Sequence, residues 1–179
     1  MTKKLIIFAG MPANNNRLLA DYLQTYKYLD QCVIIDRDDL RKFYPDVPYK
    51  DPEFIEIYCQ CLASALKAMP VVIAVAPLAT KEERQIVFSH LKEVIEEEQP
   101  QIIGLWVERK YEHLKFLNQM KLSYQKLSDE DFELTYKYRE SPQQDEGFDD
   151  VCYIIMDEEI GISQSSYGIR PLTELLDTI

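Results

Sequence analysis

The chain has 179 residues, of which 46% are hydrophobic, and this composition predicts one folded domain and argues against a disordered chain. Its 31 acidic and 20 basic residues give a formal net charge of −11, which disfavours broad nucleic-acid binding. The sequence opens without a basic and apolar leader and has no apolar run that approaches a membrane span, so we expect a cytoplasmic protein without membrane contact.

The elements alternate along the chain. Short runs rich in Val and Ile predict five strands buried on both faces, at residues 4–9, 32–36, 71–76, 102–107 and 151–156. Helical patterns lie between them, at residues 15–26, 51–68, 80–97, 109–120 and 129–139. The order β-α-β-α-β-α-β-α-α-β-α predicts an α/β fold, a three-layer α/β/α sandwich whose five-stranded sheet is mainly parallel, in a single domain of residues 1–179.

Local signals support two of the helix starts. Asp-Pro at residues 51–52 is a good N-cap and first-turn pair, and T-K-E-E at residues 80–83 is a capping-box pattern. The polar segment 140–150 is the longest irregular piece that we expect. Four cysteines fall in apolar segments, and Cys59-x-Cys61 has the wrong spacing for a zinc site, so we predict buried thiols and no metal ligands.

The stretch FAGMPANNNRLL at residues 8–19 has the frame of a phosphate-binding loop, a strand followed by a tight turn and a helix start. A Walker A loop reads G-x-x-x-x-G-K-[ST], and here only Gly10 keeps that pattern. Asn15 replaces the second glycine, Asn16 the lysine, and Arg17 the Mg²⁺-binding hydroxyl. The alternative is an Asn-rich turn that caps a helix. The candidate phosphate-binding residues are Gly10, Ala13, Asn14, Asn15, Asn16 and Arg17.

Five segments in register resemble one known family. FAGMPANNNRLLADYL, IIDRDDLRKFY, VVIAVAPLATKEER, LWVERKYEHLKFLNQMK and PQQDEGFDDV occur in the order and spacing of small P-loop kinases related to polynucleotide 5′-hydroxyl kinases and zeta-toxin-like kinases. The resemblance covers about residues 3–156 and implies a lid-like helical segment at about 109–140. It also implies ATP as cofactor, with Mg²⁺ only if the protein is an active kinase.

The resemblance assigns roles to some residues and finds others missing. Asp38 and Arg41 match the catalytic aspartate and the arginine three residues further on; the alternative is that Asp38 caps a short helix starting at Asp39. The third strand ends in apolar residues 74–76, where the family has an aspartate. In the lid, Leu117 stands where an arginine is common, and Lys121 offers a point charge. The resemblance implies that DEGFDDV joins the lid to the last strand on the side of the purine base. The alternative, which we expect, is an acidic surface loop with Phe148 folded onto the core.

Phosphoryl transfer depends on positioning and charge neutralisation, and most of the groups that supply them are missing. The sequence therefore favours a degenerate P-loop kinase fold that acts as a nucleotide- or anion-binding or interaction module with little phosphotransferase activity. The alternative is an active ATP-dependent kinase of a polynucleotide, nucleoside or other small hydroxyl substrate, which would use a non-standard loop with Arg17, Asp38, Arg41 and Lys121. A third interpretation is a regulatory protein recognised by a protein partner through its acidic surface.

Overall fold

A computed structural model describes residues 2–14, 16–28, 30–48, 51–122, 125–156, 161–165 and 168–171, with side chains as far as residue 155. The strands are β1 Lys4–Ala9, β2 Cys32–Asp36, β3 Val71–Val75, β4 Gln101–Glu108, β5 Asp150–Met156, β6 Gly161–Ser165 and β7 Gly168–Pro171. The α-helices are α1 Asn16–Tyr26, α2 Arg37–Arg41, α3 Pro52–Ala68, α4 Lys81–Ile95, α5 Tyr111–Met120 and α6 Asp129–Tyr138.

The strands form one sheet in the order β2-β3-β1-β4-β5-β6-β7. The first five in this order are parallel, and β6 and β7 add an antiparallel hairpin at one edge. Helices α3 and α4 pack on one face of the sheet, and α1 packs on the other. This arrangement confirms the predicted α/β fold with its parallel five-stranded core.

Strand β1 shows why the sheet needs helices on both faces. Its residues from Leu5 to Ala9 are at most 1% exposed. Leu5 and Ile7 face the cluster under α3 and α4, whereas Ile6 and Phe8 face the cluster under α1. Since burying a large apolar side chain stabilises a fold by about 1.5–3 kcal/mol, this short strand anchors the core and fixes the loop that follows it.

The helix starts follow the predicted caps. Asp51 accepts hydrogen bonds from the N–H groups of Glu53 and Phe54, and Thr80 forms a full capping box with Glu83. After β5 the chain turns back as the β6–β7 hairpin, which the predicted order of elements did not include. The helix predicted after the fifth strand can only follow this hairpin and stays a prediction. Residues 172–179, beyond the hairpin, lie outside the described part of the chain.

The segment before β5 is held by packing. Phe148 is 4% exposed and meets the ring of Phe88 edge to face, with 4.8 Å between ring centroids, which confirms that it folds onto the core. It lies so close to Gly104 of β4 that a Cβ on residue 104 would be 2.9 Å from the Phe148 ring.

Cys32, Cys59 and Cys152 are buried and Cys61 is half-buried. Among the described residues, no helix is long and apolar enough to span a membrane.

Candidate ligand-binding cleft

A cleft of about 630 Å³ opens where β1, β2 and β3 end, beside the C-terminal end of α5. The segment from α5 to α6, which the resemblance predicts to be lid-like, is called the lid below. Carboxyl ends of parallel strands, at the point where the strand order reverses, are the usual ligand site of such sheets. The residues that line the cleft and carry the argument below are Pro12, Asn14, Asn16, Arg17, Asp21, Asp36, Asp38, Asp39, Lys42 and Lys121.

The loop after β1 closes on itself. Gly10 has a φ of +141°, and a Cβ there would lie 2.5 Å from Asn14 Nδ2, so both the backbone angle and the space require glycine. Asn14 is 1% exposed and donates through Nδ2 to Val107 O at the end of β4. Its backbone N–H donates to Met11 O. Asn14 therefore fixes the loop to the sheet through hydrogen bonds.

A hydrogen bond from Arg109 and an apolar cluster also fix the position of the loop. Arg109 Nε donates to Asn14 O over 3.2 Å, and burial lowers the pKa of Arg109 below its ordinary value. Met11 and Ala13 are buried in a small apolar cluster with Leu114 and Phe132 of the lid. The lid thus rests on the loop through apolar contacts.

Lys121 at the end of α5 crosses the cleft. Its Nζ donates to Pro12 O in the loop and lies 3.3 Å from Asp38 Oδ2. The turn that carries it is fixed by Asn118, which donates to Leu127 O and accepts from Leu127 N. A loop that binds phosphate presents N–H groups to the ligand. Here Pro12 has no N–H to offer, and its carbonyl oxygen meets an ammonium group instead.

Arg17 is surrounded by carboxylates. Its guanidinium is 2.8 Å from Asp21 and 2.7 Å from Asp39, and 3.7 Å from Asp36. Burial acts to lower the pKa of Arg17, but the hydrogen bonds and charges of Asp21 and Asp39 raise it above its ordinary value. The side chain remains 43% exposed. An incoming anion would therefore compete with ion pairs that already exist.

The corner between β2 and α2 is acidic. Asp36, and not Asp38, caps the short helix, which begins at Arg37 and not at Asp39: the Asp36 carboxylate accepts from Asp38 N over 2.8 Å. Burial raises the pKa of Asp36 to about 6, despite that bond, and the charges of Asp38 and Asp39 act in the same direction. The proposed cap role of Asp38 is therefore wrong.

Asp39 differs from Asp36 because it has close cationic partners. Hydrogen bonds from Lys42, and then from Arg17, lower its pKa. Among the described residues, four aspartates and three basic residues line the cleft. Carboxylates therefore outnumber cations by one. The cleft thus offers little net positive potential to a polyanion.

The structure brings most of the predicted site residues together. Asn14, Asn16, Arg17, Asp38 and Lys121 line the cleft. The other predicted residues do not line the cleft: Gly10 and Ala13 support the loop, and Arg41 donates to Val47 O over 3.3 Å. Asn15 lies outside the described residues.

Several residues of this site were not predicted from the sequence. Asp21, Asp36 and Lys42 join the cleft, and Arg109 braces the loop. Asp36 carried the clearest signal, because an aspartate that ends a strand and is followed by R-D-D is well placed to cap a helix. Arg109 carried no signal, since its partner is 95 residues away.

The two other expected gaps in the kinase machinery have structural counterparts. The cleft wall at the end of β3 is apolar and consists of Val75, Ala76 and Pro77. Leu117 of the lid packs against the apolar cluster over the loop and is not a cleft residue. The position where the resemblance places a phosphate-clamping arginine therefore serves lid packing here.

No protein-family model and no curated protein sequence matches this chain. Among solved structures, the APS kinase of Mycobacterium tuberculosis in complex with AMPPNP and APS is similar with a TM-score of 0.60 and 14% identity, over 99% of this chain and 95% of that one. A sugar kinase from Janibacter sp. HTCC2649 is similar with a TM-score of 0.55 and 12% identity, over 98% of this chain and 91% of that one.

A tunicamycin resistance protein of Deinococcus radiodurans gives a TM-score of 0.53 and 12% identity, over 75% of this chain and 80% of that one. At these identities the similarity concerns the fold alone. The chain shares its α/β fold with these proteins, two of which are kinases.

Proposed function

We propose that this chain does not bind Mg²⁺-ATP in the arrangement that kinases use, and the fit of that cofactor can be tested on the residues present. A loop lysine reaches the terminal phosphates in the standard site, and a Ser/Thr hydroxyl binds the metal. Asn16 and Arg17 occupy those positions, and neither side chain can replace those groups. Pro12 directs a carbonyl oxygen at Lys121. These residues do not fit Mg²⁺-ATP in its usual arrangement.

We propose that this chain is a kinase-fold binding protein with little phosphotransferase activity. The observation that carries the proposal is that every basic side chain lining the described cleft is already paired with a carboxylate of the same cleft: Arg17 with Asp21 and Asp39, Lys42 with Asp39, and Lys121 with Asp38. Charge neutralisation at a transferring phosphoryl group is the main task of a kinase site. Residual affinity for a nucleotide or small anion rests on Arg17 and is weak and independent of Mg²⁺.

One observation favours the alternative of an active kinase. Asp38 lies in the cleft, where a carboxylate could accept the proton of an attacking hydroxyl. Arg41, its partner under that hypothesis, donates to Val47 O and would need to turn toward the cleft. Mg²⁺ belongs to the cofactors only under this alternative.

A transfer assay separates the two hypotheses. Wild-type protein is incubated with Mg²⁺ and γ-labelled ATP, together with nucleosides, a 5′-hydroxyl oligonucleotide or small sugars. We expect no labelled product above the background of the Asp38→Asn variant. Transfer by the wild type that Asp38→Asn abolishes would establish the kinase alternative.

A further inference from the structure

The loop after β1 already accepts a hydrogen bond from a cation of the same chain. The Lys121 ammonium donates to Pro12 O and lies 3.3 Å from Asp38 Oδ2. A backbone carbonyl and a carboxylate are both hydrogen-bond acceptors, and together they suit a cationic donor. The contact of Lys121 thus shows that this part of the cleft can bind an ammonium group.

Two buried side chains at the same cleft lack hydrogen-bond donors. Asn14 is 1% exposed and Asn16 is 7% exposed, and both line the cavity. Within the described ranges, no donor reaches Oδ1 of either residue. A buried acceptor without a partner costs about 1–3 kcal/mol. A ligand that carries N–H groups into the cleft would relieve this cost, whereas a phosphate oxygen would not.

The carboxylates point to the same class of ligand. Asp36 is 10% exposed in its side chain and lies 3.7 Å from the guanidinium of Arg17, beyond hydrogen-bond distance. Since the lining has one carboxylate more than cations, an added cation improves the charge balance of the cleft.

The shape of the cleft limits the size of the ligand. Its volume of about 630 Å³ is within the usual range for small-molecule sites. Part of the wall is apolar, with Val75 and Pro77 on the sheet side and the exposed Met120 and Leu122 on the lid. This wall suits a short aliphatic stem.

We propose that the cleft binds a small organic cation, with a primary ammonium or guanidinium group on a short aliphatic stem, through the amide oxygens of Asn14 and Asn16 and the carboxylate of Asp36. The inference rests on the proposed function, because a cleft that works on Mg²⁺-ATP would have to favour anions. Lys121 holds the neighbouring acceptors Pro12 O and Asp38 in the free protein, and its positive charge opposes the binding of a second cation in the cleft.

Agmatine is a suitable probe, because it carries an ammonium and a guanidinium on a four-carbon stem. In calorimetric titrations at neutral pH, we expect wild type to bind agmatine and Asp36→Asn to bind it at least about tenfold more weakly. Asparagine can still cap α2, so this variant should fold. The matched control is Glu97→Gln, an exposed residue after α4 that does not line the cleft, and its affinity should equal that of wild type.

A second pair of variants tests the role of Lys121. Lys121→Met should tighten agmatine binding because it removes a positive charge from the cleft lining. Lys126→Met, which removes an exposed charge of the lid segment, should leave the affinity unchanged.

The inference is overturned if agmatine does not bind, if Asp36→Asn binds it as well as wild type, or if Glu97→Gln weakens binding equally, which would indicate general attraction to an acidic protein. An effect of Lys126→Met equal to that of Lys121→Met would also contradict it. Parallel titrations with Mg²⁺-ATP keep the two claims apart. Tight ATP binding refutes the proposed function, whereas weak ATP binding without agmatine binding refutes this inference alone.

Discussion

Two arginines of this chain make the same kind of ion pair in opposite settings. Arg84 of α4 and its partner Glu146 are 0% and 1% exposed in their side chains, with N–O distances of 2.7 and 3.0 Å. Arg17 at the cleft is 43% exposed and is shared among aspartates of α1 and of the β2–α2 corner. The first pair is sealed in the fold, and the second can be reached by a ligand.

The difference shows that burial, and not the pairing itself, decides what such a pair does. The Arg84 guanidinium also donates to carbonyl oxygens of Leu78, Glu140 and Ser141, so it holds the segment between the lid and β5. A solvated pair contributes little to stability and can exchange partners, whereas a buried pair cannot be broken cheaply. Only the cleft pair is therefore a candidate for function.

The largest effect is expected at the buried pair. Arg84→Met should lower the free energy of unfolding by about 3–5 kcal/mol, because it leaves the Glu146 carboxylate buried without its cation. Chemical denaturation measures this change. The double variant Arg84→Met with Glu146→Leu should regain much of the loss, since no unpaired charge remains. A single variant as stable as wild type would show that water reaches the pair.

A smaller effect, dependent on pH, is expected at Asp36, which faces Arg17, Asp38, Asp39 and Tyr58. Because folding raises its pKa from 3.8 to about 6, the folded state favours the protonated form. The stabilisation from this proton is complete below the unfolded pKa and is lost as the pH rises through about 6.

Asp36→Asn should therefore be more stable than wild type at neutral pH, by an amount on the order of 2–3 kcal/mol, with the difference vanishing near the unfolded pKa. Denaturation curves across this range, with Glu97→Gln as the charge-matched control, measure it. If the difference between Asp36→Asn and wild type is constant with pH, the carboxylate is not buried as described.

The smallest effect is expected at Arg17. Arg17→Ala should change the free energy of unfolding by no more than about 1 kcal/mol, because its ion pairs are solvated. Inorganic phosphate should raise the Tm of wild type slightly and that of Arg17→Ala not at all. Equal shifts in both proteins would place the anion elsewhere.

The fold could be predicted largely from local sequence. The Val- and Ile-rich runs gave the five parallel strands, and Asp51 and Thr80 marked two helix starts. The β6–β7 hairpin was not predicted because its strands are short and rich in polar residues and glycine. The prediction was based on buried strands rich in Val and Ile.

The cleft was predicted only in part, because its decisive contacts join residues far apart in the chain. Nothing near Lys121 indicates that its ammonium would meet Pro12 O, 109 residues away, and nothing near Arg17 indicates Asp39 as a partner. Local pattern predicted which groups of a kinase site are absent. Tertiary structure was needed to find what the remaining charges do.

The most direct test of the central claim, that this kinase fold has lost the site for Mg²⁺-ATP, is a calorimetric titration of wild type with ATP in the presence and absence of Mg²⁺. We predict weak binding with the same affinity in both titrations, because no loop lysine or hydroxyl ligand is present and the cleft cations are paired. Tight binding that requires Mg²⁺ would contradict the account.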